Sequence, residues 1–177
     1  MRRLVGSRRA RRIIGGIVLL LVVAAGLLLV STAQAQTAPQ QPIAFNHQVM
    51  VQAGVSCLYC HSGATKSAVA GIPSVAKCMG CHNVVATDSA EVQKVAGYWQ
   101  RQEPIPWVRV NQLPRFVYFS HEVHVTAAGL NCETCHGDVG HMTETKAVVN
   151  MTMGWCISCH QQQPNAQQLT DCITCHQ

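Results

Sequence analysis

Every cysteine in this chain belongs to one of five copies of Cys-x-x-Cys-His. They are Cys57-Leu-Tyr-Cys60-His61, Cys78-Met-Gly-Cys81-His82, Cys132-Glu-Thr-Cys135-His136, Cys156-Ile-Ser-Cys159-His160 and Cys172-Ile-Thr-Cys175-His176. Two thiols a helical turn apart can reach the two vinyl groups on one edge of a porphyrin. The next residue then sets an imidazole under the iron, which makes this spacing the attachment signal of a c-type haem. A lone pair of this kind also fits a redox-active dithiol or half of a zinc site, and ten exported cysteines fit a disulfide framework. None of these gives a reason for His after every second Cys. His makes up nine of the 177 residues, so five coincidences out of five have odds below about one in a million. The chain is expected to carry five haem c groups.

That expectation accounts for an unusual composition. Aromatic residues are 5% and charged residues 12% of the chain, the latter about half the usual share. The 142 residues after position 35 leave about 28 for each haem. Porphyrins, tethered and ligated, would then replace the side-chain core that so small a body cannot build. The fold class expected is a multihaem cytochrome c, mostly irregular, with short α-helices wrapped around five haems and one N-terminal transmembrane helix.

The net charge of +5 is concentrated at one end. Residues 1–35 hold six arginines and no acid, whereas the rest balances seven Lys and Arg against eight Asp and Glu. The body lacks the basic face that nucleic-acid binding needs. Ile13–Val30 is an uncharged apolar run. As a helix it rises about 27 Å, or about 31 Å if continued to Ala33, enough to cross a bilayer. The preceding arginines would keep the N-terminus in the cytoplasm and send the body outward. Ala33-Gln34-Ala35 also fits a signal-peptide cleavage site, but the run is longer than a usual signal core, which favours a retained anchor. The localisation expected is the bacterial cytoplasmic (inner) membrane, with the haem domain on the periplasmic side.

The organisation that follows is an Arg-rich cytoplasmic segment (1–12), an anchor (13–33), a linker (34–44), a two-haem part (45–89), a connecting segment (90–118) and a three-haem part (119–177). Within the connecting segment, Ala90–Gln100 places Val92, Val95, Ala96 and Trp99 on one helical face. Val108–Val110 and Phe116–Phe119 are predicted as short strands, and Gln161–Gln168 as a Gln-rich loop. An internal repeat stands out. Phe45-Asn-His47-Gln-Val-Met50 precedes the first motif and Phe119-Ser-His121-Glu-Val-His124 the third, the second copy carrying one extra residue before its Cys. Each copy puts two potential ligands three residues apart on one helical face, so that one helix can serve two haems.

Five irons need five distal ligands besides the proximal His61, His82, His136, His160 and His176. The remaining histidines are His47, His121, His124 and His141. Thioether sulfur is the other common choice, which brings in Met50, at the position of His124 in the repeat, and Met142, Met151 and Met153. Spacing does not separate His141 from Met142. Mixed His and Met ligation would spread the five potentials.

The stretches Phe45–His61, Gly71–His82, Pro106–Val110, Leu113–His121 and Met151–His160 resemble the pentahaem cytochrome c subunit of bacterial alternative complex III, over nearly the whole chain. The resemblance implies a membrane complex that oxidises quinol and reduces a periplasmic acceptor. It implies as partners an iron–sulfur protein, quinol-binding membrane subunits and a monohaem cytochrome c. This chain departs from that pattern at Met50, where the family carries a second His. The family also tends to carry Met at the place of Met142 and no His before it, which gives the set His47, Met50, His121, His124 and Met142.

Two other functions compete with an electron-transfer subunit. A stand-alone membrane-anchored quinol dehydrogenase would share the anchor and the haems. A multihaem reductase would need one iron without a distal ligand, and here the candidates suffice to fill all five. No nucleophile–base constellation, phosphate loop or zinc set stands out.

Overall fold

The computed structural model describes residues 13–22 and 38–176. The chain divides into two compact units, Met1–Thr37 and Ala38–Gln177. In the first, residues 13–22 are helical and exposed. The rest of the expected anchor (23–33), the Arg-rich segment (1–12) and the start of the linker (34–37) lie outside the described residues. Among the described residues no helix is long and apolar enough to cross a membrane.

The second unit is a string of short helices. In order they are α1 (His47–Gln52), α2 (Cys57–Cys60), α3 (Val75–His82), α4 (Ala90–Gln100), a π-helical turn (Val123–Ala127), α5 (Glu133–His136), a 3-10 turn (Val139–His141), α6 (Met153–His160), α7 (Ala166–Leu169) and α8 (Cys172–Cys175). The sequence just ahead of several of them explains where they start. Asn46, Ser56, Thr152 and Asp171 each accept a backbone N–H with the side chain at the N-terminus of α1, α2, α6 and α8, satisfying donors that a short helix would otherwise leave open.

Side-chain packing is sparse. The only buried hydrophobic residues among those described are Ile43, Ala64, Val75, Val92, Val95 and Ile105. Four of them, Ile43, Val75, Val95 and Ile105, form one cluster, with Cys78, Met79, Tyr98 and Trp107 packed against it. This cluster joins α3 to α4. The predicted helix over Ala90–Gln100 is present, and its Val92 and Val95 are buried. Trp99 departs from the expected apolar face: it is 50% exposed, and its neighbour Tyr98 turns to the cluster instead.

The expected strands at Val108–Val110 and Phe116–Phe119 do not form. Among the described residues there is one isolated antiparallel bridge, Val117 to His176, supported by Tyr118 N donating to Cys175 O at 2.7 Å. Neither segment finds a second strand to pair with beyond that bridge among the described residues. The Gln-rich segment is loop over residues 161–165, and its last three residues fall in α7 (Ala166–Leu169).

The internal repeat shows how one extra residue is absorbed. In the first copy Ala53 N donates to Val49 O, four residues back, at 3.0 Å. The equivalent bond in the second copy runs from Ala128 N to Val123 O, five back, at 2.9 Å. The insertion is taken up as a π turn, the usual fate of a residue added to a helix. Both copies then end on a glycine with positive φ, Gly54 at 80° and Gly129 at 65°, a conformation glycine adopts without a Cβ penalty. Three residues after each glycine comes the first Cys of the next motif, so the lead into both motifs is the same.

Candidate cofactor sites

Each motif is one closed helical turn. His61 N donates to Cys57 O at 2.8 Å, His136 N to Cys132 O at 3.0 Å and His176 N to Cys172 O at 2.9 Å. The second and fourth motifs end the longer helices α3 and α6. The turn brings both thiols and the imidazole to one end of each helix. All ten thiols are free, which is unlike a disulfide framework. Burial pushes the Cys60, Cys78, Cys132, Cys135 and Cys156 thiols up from their ordinary range. Among the described residues, no three of His, Cys, Asp and Glu converge on a point fit for a metal ion. A haem iron asks for only two protein ligands.

Five of the nine histidines share one arrangement of their Nδ1 atoms. His61 meets Gly71 O at 2.6 Å, His82 meets Val85 O at 3.0 Å, and His160 meets Leu169 O at 3.0 Å. His121 meets Ala68 O at 3.0 Å, and His124 meets Ser120 O at 2.8 Å. A carbonyl oxygen only accepts, so in each case Nδ1 carries the hydrogen. That leaves Nε2 with a free lone pair, the state of an imidazole ready to bind a metal. His47 and His136 use side chains instead: Thr145 Oγ1 lies 2.9 Å from His47 Nδ1, and Asn111 Nδ2 lies 3.3 Å from His136 Nδ1.

Two imidazole pairs have the spacing that one iron would require. His121 and His136 have ring centres 6.3 Å apart and planes 5° from parallel. His124 and His160 have centres 6.1 Å apart and planes 23° from parallel. Metal–nitrogen bonds of about 2 Å on both sides, with about 1 Å more to each ring centre, span about 6 Å. Each pair joins one motif histidine to one from the repeat. The Phe119 ring wedges against both repeat histidines, edge-on to His121 at 4.9 Å and stacked on His124 at 4.6 Å, which holds the two rings apart from each other. Burial, then the charges of His121 and His61, push the His136 pKa down.

His47, Met50, His141 and Met142 gather where α1 packs against the 3-10 turn Val139–His141. His47 is half-buried, and burial followed by the His61 charge pushes its pKa down. Met50 is half-buried on the same helix. Met142 is half-buried too, and its carbonyl accepts from Gln48 N at 3.2 Å. His141 differs from every other histidine. Its side chain is 73% exposed and its Nδ1 lies 2.7 Å from Asp138 Oδ1, a contact that raises its pKa. Met151 is half-buried, while Met153 is 62% exposed. His176 has the Phe116 ring beside it, centres 5.8 Å apart.

These residues fit haem c. Paired thiols, imidazoles held with Nε2 free and two pairs at one-iron spacing supply the donors. Apolar side chains flanking the motifs, among them Leu58, Tyr59, Val84, Val85 and Ile173, are exposed and offer a surface to a large flat apolar group. Sequence reasoning did not identify Thr145, Asn111 or the carbonyls of Ala68 and Leu169 as partners of the histidines. No local spacing signals them: Thr145, Asn111 and Ala68 approach from segments 25 or more residues away, and Leu169 from the end of the next short helix.

Comparison with known proteins agrees with this chemistry. The family of cytochrome c7 and related cytochrome c matches residues 117–177. The multihaem cytochrome c subunit of menaquinone reductase from Nitratidesulfovibrio vulgaris (strain Hildenborough) is 30% identical over 162 residues, covering 77% of this chain and 77% of that protein.

Proposed function

The chain belongs to the family of multihaem cytochromes c that includes this menaquinone reductase subunit, and from that premise we propose that it holds five haem c groups as the electron-transfer subunit of a quinol-oxidising membrane complex of the alternative complex III type. Electron transfer by a multihaem cytochrome is the family's activity, and haem c is its cofactor. Bound haem c supplies one-electron chemistry at its iron. The chain's residues do the rest. Cys57 and Cys60, Cys78 and Cys81, Cys132 and Cys135, Cys156 and Cys159, and Cys172 and Cys175 tether the groups. The adjoining histidines ligate from one side. His121 and His124 would supply the second ligands at the His136 and His160 sites, whose rings they face at one-iron spacing, and His47, Met50 and Met142 would complete the remaining sites. The carbonyl partners of Nδ1 hold the rings of His61, His82, His121, His124 and His160 in one tautomer and one orientation.

In this proposal residues 13–33 anchor the chain in the bacterial cytoplasmic membrane with the haem domain on the periplasmic side. An iron–sulfur protein, quinol-binding membrane subunits and a monohaem cytochrome c surround it. The observation that carries the proposal is the pairing of His121 with His136 and of His124 with His160 at 6.3 and 6.1 Å. The relative belongs to a menaquinone reductase, which favours a second direction, in which the complex reduces menaquinone. Mass spectrometry of the native polypeptide should show five haem additions, and the complex purified from membranes should reduce a soluble cytochrome with quinol. Unmodified thiols would overturn the haem count. Reduction of menaquinone, with no quinol oxidation, would overturn the direction.

A further inference from the structure

The loops between motifs, not the motifs themselves, show how the five sites follow one another in space. The first and second motifs meet at Lys77, whose Nζ donates to Tyr59 O at 2.7 Å and sits 4.5 Å over the Tyr59 ring. The first and third meet where the loop after His61 docks on the repeat helix: His121 N donates to Ala68 O at 3.2 Å, Glu122 N to Ser67 O at 3.1 Å and Thr126 Oγ1 to Thr65 O at 2.9 Å. The third and fourth share that helix, since His121 faces His136 and His124, one turn on, faces His160. The fourth and fifth are joined through Leu169, whose carbonyl accepts from His160 Nδ1 three residues before Cys172.

We infer that the five attachment motifs stand in one row in the order second, first, third, fourth, fifth, so that the row doubles back on the sequence and ends at Cys78–His82 and at Cys172–His176. The inference rests on the five-haem proposal and deepens it. It makes the second and fifth sites, and not the first and fifth, the two ends at which electrons enter and leave the chain.

The test begins with the mass of the native holoprotein. Fewer than five haem additions would sink the five-haem proposal itself and leave no row to order. With five present, a map of the intact complex gives the iron positions. The second site's iron is expected to have the first site's as its nearest neighbour within the chain, and the first site's iron to lie between those of the second and third. A first-site iron at an end of the row, or a second-site iron nearest the third, fourth or fifth, would overturn the order while leaving the haem count intact. Kinetics supply an independent readout. After pulsed reduction, a Cys78→Ala/Cys81→Ala double variant should equilibrate electrons among its four remaining sites in one phase. A Cys132→Ala/Cys135→Ala double variant should lose that single phase and split into two pairs that exchange slowly. The same kinetics in both variants would count against the row.

Discussion

The imidazole planes of His121 and His136 lie 5° from parallel with ring centres 6.3 Å apart, although the two residues are fifteen positions apart in the chain. His121 reaches this place because its own Nδ1 is held by Ala68 O from a loop more than fifty residues away. His124, on the next turn of the same helix, meets a different partner. One short helix is therefore a bracket between two sites.

Replacing either bracket residue should disturb one site and spare the other. His121→Ala is expected to convert only the His136 site from low spin to high spin, and His124→Ala only the His160 site. Electron paramagnetic resonance of the oxidised protein would count the high-spin centres. The pairing would be refuted if both variants altered the same centre, or if neither produced a high-spin signal.

Met142 and His141 are adjacent but differently placed, one half-buried beside α1 and the other exposed on Asp138. Met142→Ala should abolish the optical band of a Met-ligated ferric haem at one site. His141→Ala should leave the visible spectrum as it was. The opposite result would make His141 the ligand.

Thr145 offers the one hydroxyl that partners a histidine Nδ1 among the described residues. If His47 ligates through Nε2, its Nδ1 hydrogen is donated to Thr145 Oγ1, which makes the imidazole a stronger donor and favours ferric iron. Thr145→Val should therefore raise the potential of one site, by up to a few tens of millivolts for a bond worth ~1 kcal/mol. Spectroelectrochemical titration reads this directly. A shift downwards, or none, would argue against ligation by His47.

Glu91 gives a pH dependence away from the irons. Its carboxylate accepts from Lys94 Nζ at 2.6 Å and from Ala44 N at 2.7 Å, and these bonds, that to Lys94 first, hold it below the ordinary carboxylate range. A depressed folded pKa means the contribution is present above the unfolded value, near 4.5, and lost as pH falls through the folded one. The pair is largely exposed, so the effect is under about 1 kcal/mol. Glu91→Gln should speed proteolysis around residues 38–44 at neutral pH, and the unaltered protein should show the same only on acidification below that value. Equal cleavage rates for both proteins at pH 7 would remove the anchoring role.

Much of this was legible in the chain because covalent attachment imposes a rigid spacing. Cys-x-x-Cys-His demands a helical turn, and Cys57–His61, Cys132–His136 and Cys172–His176 each close one. The α4 helix was legible for the ordinary reason that Val92 and Val95 recur at helical spacing. The failures share a cause. Strands at Val108–Val110 and Phe116–Phe119 were expected from β-branched and aromatic content, yet such residues signal a strand only when another strand can pair with them. Trp99 was assigned inward on periodicity, but little side-chain core exists to receive it. The partners of His47 and His136 come from Thr145 and Asn111, contacts set by tertiary approach and invisible to local pattern.

The six buried hydrophobic residues have a bearing on biogenesis. A polypeptide with so little of itself to bury has no compact state to wait in, so porphyrin ligation and folding become a single event. Haem-free polypeptide is expected to melt without a cooperative transition and to fall to proteases, so that quality control of this protein is a check on cofactor delivery. A sharp calorimetric transition in the apoprotein would refute that coupling.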